Sequence, residues 1–257
     1  MNPFYFGSSK RPLFGIHHPP KSDVMRNRGV ILCPAIGQDY MRTHRGLKQL
    51  AIQLSKSGFH VLRFDYFATG DSGGESTEAT LEQWIDDVGD AIDELKDTAG
   101  VRQVSLIGIR LGAAVAAQAA HDRSEVDSLI LWDPVVTGAA YVKELTSMGQ
   151  PADVNGSVPP GTVGVSGFPL TPGLRSDLQH IDLPGAAESP ADHVLLVVSE
   201  ERDEFDQLRS HLSATTPHSS FQLVPTVANW DNVDRLGAVL LPQKIIQEIV
   251  TYLNDHD

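Results

Sequence analysis

Cysteine is almost absent. Cys33 is the only one in 257 residues, so no internal disulfide can form and nothing in the chain calls for an oxidising compartment. Positive charge is short as well: 20 Lys and Arg stand against 33 Asp and Glu, a net charge of −13. That balance argues against nucleic acid and anionic membrane surfaces as partners, because both reward clustered cations. No apolar run approaches the ~18 residues of a membrane span, and Met1 to Lys10 lacks a basic segment followed by an apolar core, so neither insertion nor export is expected. No cluster of His, Cys and carboxylates has metal-ligand spacing, and no Walker or Rossmann phosphate loop occurs, so neither a metal nor a cofactor is expected. What remains is the composition of a cytoplasmic acidic protein, 41% hydrophobic and 21% charged, long enough for one α/β domain with a large core. A small-molecule substrate is the expected partner, and a homo-oligomer is left open.

Taken in order, Phe4-Tyr5-Phe6 and Leu13-Phe14-Gly15-Ile16 read as an opening hairpin. Val30-Ile31-Leu32-Cys33 is the continuous apolar run of a central parallel strand, followed by a loop over Ala35 to Tyr40. From Thr43 a helical pattern places Leu47, Leu50, Ala51 and Leu54 on one face, with Gly58 as its stop. Phe59 to Phe67 reads as a strand and Ala68 to Gly74 as a loop, and Thr80 with Gln83 suits a capping box before a second amphipathic helix. Strand and helix go on alternating through Ser128 to Trp132, which implies a mostly parallel sheet with helices on both faces. Between about Thr137 and Pro190 glycine and proline become dense, and only Ala140 to Met148 reads as helix. This stretch is expected to be a cap draped over the sheet edge, the alternative being a disordered linker. The expected division is a core over 1–136, a cap over 137–190 and the rest of the core over 191–257.

The most telling stretch is Gly108-Ile109-Arg110-Leu111-Gly112, preceded by Val104 to Ile107 and followed by Ala113 to Ala117. Strand, glycine-bracketed turn and helix form the context of a nucleophile elbow, Gly-x-Ser-x-Gly, but here the centre is arginine. A guanidinium stays protonated and carries donors without an acceptor, so it cannot attack a carbonyl.

Together with Asn2-Pro3-Phe4-Tyr5-Phe6-Gly7, Thr43-His44-Arg45, Leu62 to Phe67 running into Gly70-Asp71-Ser72, and Trp132-Asp133-Pro134-Val135, this stretch resembles the α/β-hydrolase superfamily across essentially the whole chain. Within it, the residues are similar to bacterial hydrolase-like proteins encoded near exosortase or biosynthetic gene clusters. The resemblance implies an α/β-hydrolase fold and a triad order of Ser, acid, His. Acids stand in place: Asp133 after one strand, and Glu200, Glu201 or Asp203 after the next. After His218 the only histidine is His256, and the loop that should hold the catalytic imidazole reads Thr226 to Asn232 around Asn229 and Trp230.

Loss of either nucleophile or base removes most of what such a unit supplies, on the order of 10⁶-fold, so ordinary acyl-enzyme hydrolysis is not expected. Gly70-Asp71-Ser72-Gly73-Gly74 also satisfies Gly-x-Ser-x-Gly, but no helix follows at once. It reads as a structural loop in which Asp71 and Ser72 bond backbone amides. The sequence leaves two functions open. One is a noncanonical enzyme acting on an acyl or carboxylate-bearing molecule by cyclisation, elimination or acyl rearrangement in a biosynthetic pathway. Arg110 would anchor an oxygen anion, Asp133 or His44 would move a proton, and Ile36, Leu111, Asp39 and Trp230 would contact substrate, with the backbone amide of Leu111 and that of Ile36 or Ala35 at the oxyanion position. The other is a pseudo-hydrolase that binds a ligand or partner protein, with Arg110 held in an internal ion pair with Asp133 or the acidic turn. A conventional esterase or thioesterase ranks behind both. Cys33 is expected to be a structural residue of its strand.

Overall fold

The computed structural model describes residues 1–121, 123–152, 158–226 and 242–256. The opening hairpin is present as β1 (Asn2–Ser8) and β2 (Arg11–His18), paired antiparallel from Asn2 opposite His17 to Ser8 opposite Arg11. Then follow β3 (Arg28–Cys33), α1 (Gly37–Lys56), β4 (His60–Phe64), α2 (Leu81–Ala99), β5 (Gln103–Ile109), α3 (Leu111–Ala120) and β6 (Val126–Trp132). After β6 come α4 (Gly138–Met148), three short strands β7 (Gln150–Pro151), β8 (Val163–Val165) and β9 (Phe168–Leu170), and α5 (Pro172–Gln179). The chain closes with β10 (His193–Val198), α6 (Asp203–Thr215), β11 (His218–Leu223) and α7 (Gln243–Asp255).

One eight-stranded sheet runs β1-β2-β4-β3-β5-β6-β10-β11, parallel from β4 onward with β1 and β2 as the antiparallel edge. Because successive strand residues face opposite sides, the sheet carries two cores. Ile31, Leu106, Leu129 and Val194 pack with α2, α3 and α6 on one face. Val30, Ile107, Ile130 and Leu195 pack with α1 and α7 on the other. Burial on both faces is why the central strands read as unbroken apolar runs rather than alternating ones. It also pushes the Cys33 thiol up from its ordinary pKa, as suits a buried structural residue.

Four local readings are corrected. Helix α1 begins at Gly37, not Thr43, directly after Ile36 as N-cap, so Asp39 lies in its first turn, where the helix dipole favours a carboxylate. The apolar repeat starts only at Leu47 because the first turns face a cleft instead of the core. The strand after Phe59 stops at Phe64, where Asp65 leaves the ladder to organise the next loop. Between β6 and β10 the chain is more regular than its Gly and Pro content implied, with a three-stranded antiparallel sheet and a second helix. Pro172 starts α5 rather than breaking it: proline is tolerated at the first helical position, and the Thr171 hydroxyl caps the helix by accepting from the Leu174 N–H. Thr80 caps α2 in the same way through Gln83 N–H, but the Gln83 amide bonds Asp87 instead of completing the box.

Candidate active site at the elbow

The strand-turn-helix junction predicted around Arg110 is formed, and it is strained. Arg110 has φ 53° and ψ −123°, a conformation non-glycine residues rarely adopt. The backbone is held there by the Arg110 N–H donating to Trp132 O at 3.1 Å and by Arg110 O accepting from Ala113 N–H and Val135 N–H at 3.0 and 3.2 Å. The flanking glycines are needed for close approach. A Cβ on Gly108 would overlap the backbone of Ala113, and one on Gly112 would overlap the carbonyl oxygens of Pro34 and Cys33.

Above the turn the Arg110 side chain is enclosed, with the residue only 2% exposed. Its Nε donates to Asp39 Oδ2 at 3.2 Å, and Nη2 lies 3.5 Å from Glu144 Oε2 on α4. The Tyr141 ring, one helical turn before Glu144, lies 5.8 Å from the guanidinium carbon. Burial pulls the Arg110 pKa down, but Asp39, Tyr141 and Glu144 outweigh it and the net shift is upward, so the group is a permanent cation. The same burial and the neighbouring Asp39 push the Tyr141 phenol up. Glu144 and Tyr141 were not foreseen. They lie at i and i+3 on α4, but nothing in sequence spacing says which helix covers the elbow.

The other predicted residues separate. Asp133 follows β6 at φ 40° and is fully buried, and its Oδ1 accepts from the Ser199 N–H at 2.7 Å beyond β10. Leu111 is buried at the first position of α3, and Ile36 caps α1, so both stand where a helix leaves N–H groups without intrahelical acceptors. Of the alternative acids, Glu200 pairs with Arg202 inside its own turn, where Glu204 also approaches that arginine, and Asp203 opens α6. Asn229 and Trp230 lie outside the described residues. His256 sits at the far end of the sheet from the elbow, its carbonyl accepting from Arg28, the first residue of β3. Ser72 is tied down: its Oγ donates to Asp65 O at 2.5 Å and accepts from Phe14 N–H at 2.8 Å. The structural-loop reading holds for Ser72, although the carboxylate that collects a loop amide is Asp65, accepting from Asp71 N–H.

Two spaces meet at the α1 N-terminus. A crevice of about 20 Å³, room for one water, lies against Asp39, Tyr141, Glu144 and Phe168. A larger cleft of about 390 Å³ opens between Ile36, Gly37, Tyr40, Thr69, Ser166 and Phe168, and no charged side chain of the described residues lines it. His44 faces neither. It lines a separate 100 Å³ recess with Tyr40, Arg63 and Asp65, and its Nδ1 lies 2.9 Å from Met41 O in its own helix.

Beside that recess the Arg63 Nε donates to His18 Nε2 at 3.3 Å, which requires a neutral imidazole. Burial first, then Arg63, lowers the His18 pKa from 6.5 to about 4. Between those values the unfolded chain binds a proton that the folded chain refuses, so the His18 contribution is full above pH 6.5 and is lost as pH falls toward 4. Asp87, raised by burial to about 6, works in the opposite sense over the lower part of that range. The clean measurement is therefore a difference. Relative to His18→Gln, the wild type should lose on the order of 3 kcal/mol between pH 7 and pH 4 in parallel urea titrations. A flat difference would show that His18 does not titrate on unfolding.

The strand order and the strained elbow are those of the α/β-hydrolase fold, and the chain resembles that superfamily. A family model described as serine aminopeptidase, S33, matches residues 30–155. The human mitochondrial palmitoyl-protein thioesterase ABHD10 is 37% identical over 102 residues, 39% of this chain but only 31% of that protein. Among solved structures, Est1E from Butyrivibrio proteoclasticus superposes with TM-score 0.70 at 15% identity, covering 99% of this chain and 98% of its own. The bottromycin epimerase BotH, in complex with bottromycin A2, superposes with TM-score 0.66 at 17% identity, covering 98% and 100%.

Proposed function

We propose that this protein is a non-hydrolytic member of the superfamily that binds an uncharged small molecule, acyl or hydroxyl-bearing, in the cleft before the elbow. The observation that carries the reading is the buried Arg110 held between Asp39 and Glu144. A guanidinium cannot form an acyl-enzyme, and this one is already neutralised. A substrate carboxylate would have to displace two carboxylates and enter a space the size of one water. Arg110 therefore acts as an ionic staple that holds α1 and α4 over the turn, in place of the substrate anchor expected from sequence. The absence of a histidine between His218 and His256, with His256 at the opposite sheet end, supports the same conclusion. The uncharged cleft lining favours a neutral ligand over the carboxylate-bearing one expected earlier. In this reading residues 137–190 are the cap, since α4 supplies Tyr141 and Glu144 and β9 supplies Phe168.

A second reading has a specific support: Asp39 and Glu144, both paired with Arg110, flank the small crevice and offer a carboxylate base without a nucleophile. BotH, an epimerase by name, is a protein of this fold with a non-hydrolytic activity. The thioesterase activity named for ABHD10 is not carried over, because it would need a nucleophile at the elbow.

Fluorophosphonate labelling and p-nitrophenyl butyrate turnover should be absent in wild type and unchanged in Ser72→Ala, while a thermal-shift screen of uncharged acyl compounds should give hits lost in Ser166→Trp. Labelling abolished by Ser72→Ala would overturn the non-hydrolytic reading. Chemical turnover of a hit that Asp39→Asn abolishes, with the thermal shift retained, would establish the second.

A further inference from the structure

A cavity of about 520 Å³, larger than either space beside the elbow, lies on the α2, α3 and α6 face of the sheet and falls within the size range of small-molecule sites. Its origin is topological. Neighbouring parallel strands are normally joined by a crossover helix packed on the sheet. β6 and β10 are such neighbours, but their connection sets α4 over the elbow and α5 against α4, and it returns through residues 180–192 without a helix. The sheet face at Leu131 is left under a thin loop between α3 and α6.

The floor is apolar, built from Ile85, Ala117, Leu131, Leu183, Leu208 and Leu212. The mouth carries charge of one sign. Asp182 and Glu188 stand on it beside His121, His180 and His211, and no lysine or arginine of the described residues lines the cavity. Asp182 accepts from the Gly185 N–H at 3.2 Å, and Glu188, whose side chain is 78% exposed, stands 3.9 Å from His121 Nε2. The uncharged polar groups add acceptors. His180 Nδ1 lies 2.7 Å from the Ser176 carbonyl oxygen, which can only accept, so Nδ1 carries the proton and the neutral ring keeps Nε2 as an acceptor. The Gln118 amide nitrogen lies 3.5 Å from Ala114 O in its own helix, which leaves Oε1 for a ligand. An apolar well with a mouth of carboxylates and lone-pair acceptors complements an apolar body that ends in a cationic hydrogen-bond donor.

We propose that this cavity is a second ligand site, distinct from the elbow cleft, that takes a lipophilic amine: the apolar tail against Leu131, Leu208 and Leu212, the ammonium group beside Asp182 and Glu188. The net charge of −13 draws cations to the whole surface, and the two carboxylates at the rim of the well select a cation that also carries an apolar body. The site shares no residue with the elbow cleft, so it stands or falls independently of the function proposed there. A ligand here would brace the loop that replaces the missing helix, and binding would raise the thermal stability of the fold.

The probe is octylamine, titrated calorimetrically into the intact chain at pH 8, where an ordinary imidazole is neutral, with octanol and octanoate as its uncharged and anionic counterparts. One octylamine per chain should bind, with octanol weaker by about fivefold and octanoate by about tenfold or more. The double variant Asp182→Asn, Glu188→Gln should bring octylamine down to the affinity of octanol. Ala117→Trp, which fills the floor, and Ala187→Trp, which blocks the exposed mouth, should each weaken octylamine at least tenfold, and Ser166→Trp in the elbow cleft should leave it unchanged. No saturable octylamine binding overturns the proposal, and so does octanol or octanoate binding as tightly as octylamine. Full affinity in Ala187→Trp, whose exposed position keeps the test valid if Ala117→Trp fails to fold, overturns it too. Full affinity in the double variant, or a loss in Ser166→Trp, has the same consequence.

Discussion

Replacement of Arg110 by methionine is expected to destabilise the protein by about 3 kcal/mol, a drop in Tm on the order of 5–10 °C for a chain of this size. Methionine fills much of the same space, so the loss is not a cavity effect. It comes from removing the cation that Asp39 and Glu144 share, their side chains being only 14% and 28% exposed. Partial access to water keeps the figure at the low end for a broken buried pair. The triple variant Arg110→Met, Asp39→Asn, Glu144→Gln removes both anions together and should recover most of the loss, because a buried ionic group replaced as a unit is often close to neutral. Urea unfolding of the three proteins measures this. A single variant as stable as wild type would mean that Arg110 is not a staple, and failure of the triple variant to recover would place the loss in the strained backbone.

The second large effect is at Gly112. Adding one methyl group, Gly112→Ala, should cost more than about 4 kcal/mol and leave most of the expressed chain insoluble, since backbone atoms and not a yielding side chain occupy the space. The new Cβ would overlap the carbonyl oxygens of Pro34 and Cys33, which belong to the end of β3 and its loop, so α3 would have to lift away from the sheet. Gly173→Ala, with nothing within 4 Å of the added Cβ, is the matched control and should be soluble and folded. The soluble fraction and circular dichroism of the two decide it. A folded Gly112→Ala would mean that the elbow packs less closely than described.

The alternation of strands and helices, the opening hairpin, the capping of α2 by Thr80 and the elbow itself were legible in the sequence, because each depends on residues close together in the chain. Buried parallel strands announce themselves as apolar runs, and a glycine pair around a turn announces close approach. The start of α1 was misplaced because its first turns line a cleft and carry no apolar repeat. Helix α5 was missed because Pro172 and Gly173 look like a break unless Thr171 is recognised as the cap.

The site was only half legible. Asp39 was singled out as a substrate contact and proves to be a partner of Arg110, while Tyr141 and Glu144 carried no signal. His44, expected to move a proton at the elbow, faces the Arg63 recess instead, one turn beyond Tyr40 on α1. A four-residue step keeps a side chain on the same helix face and carries it about 6 Å along the axis, so the neighbouring strands decide which space it meets.

By itself, the sequence determined the class of fold and the chemistry that the elbow cannot perform, since both follow from local residue types: a strand, two glycines, a helix, and a cation where an attacking oxygen would stand. Only the tertiary structure shows what the cation touches. Its partners lie 71 and 34 residues away on α1 and α4, and the space left beside it is about 20 Å³. Charge neutralisation and enclosed volume depend on which distant elements pack against each other, and no local pattern of residues encodes that.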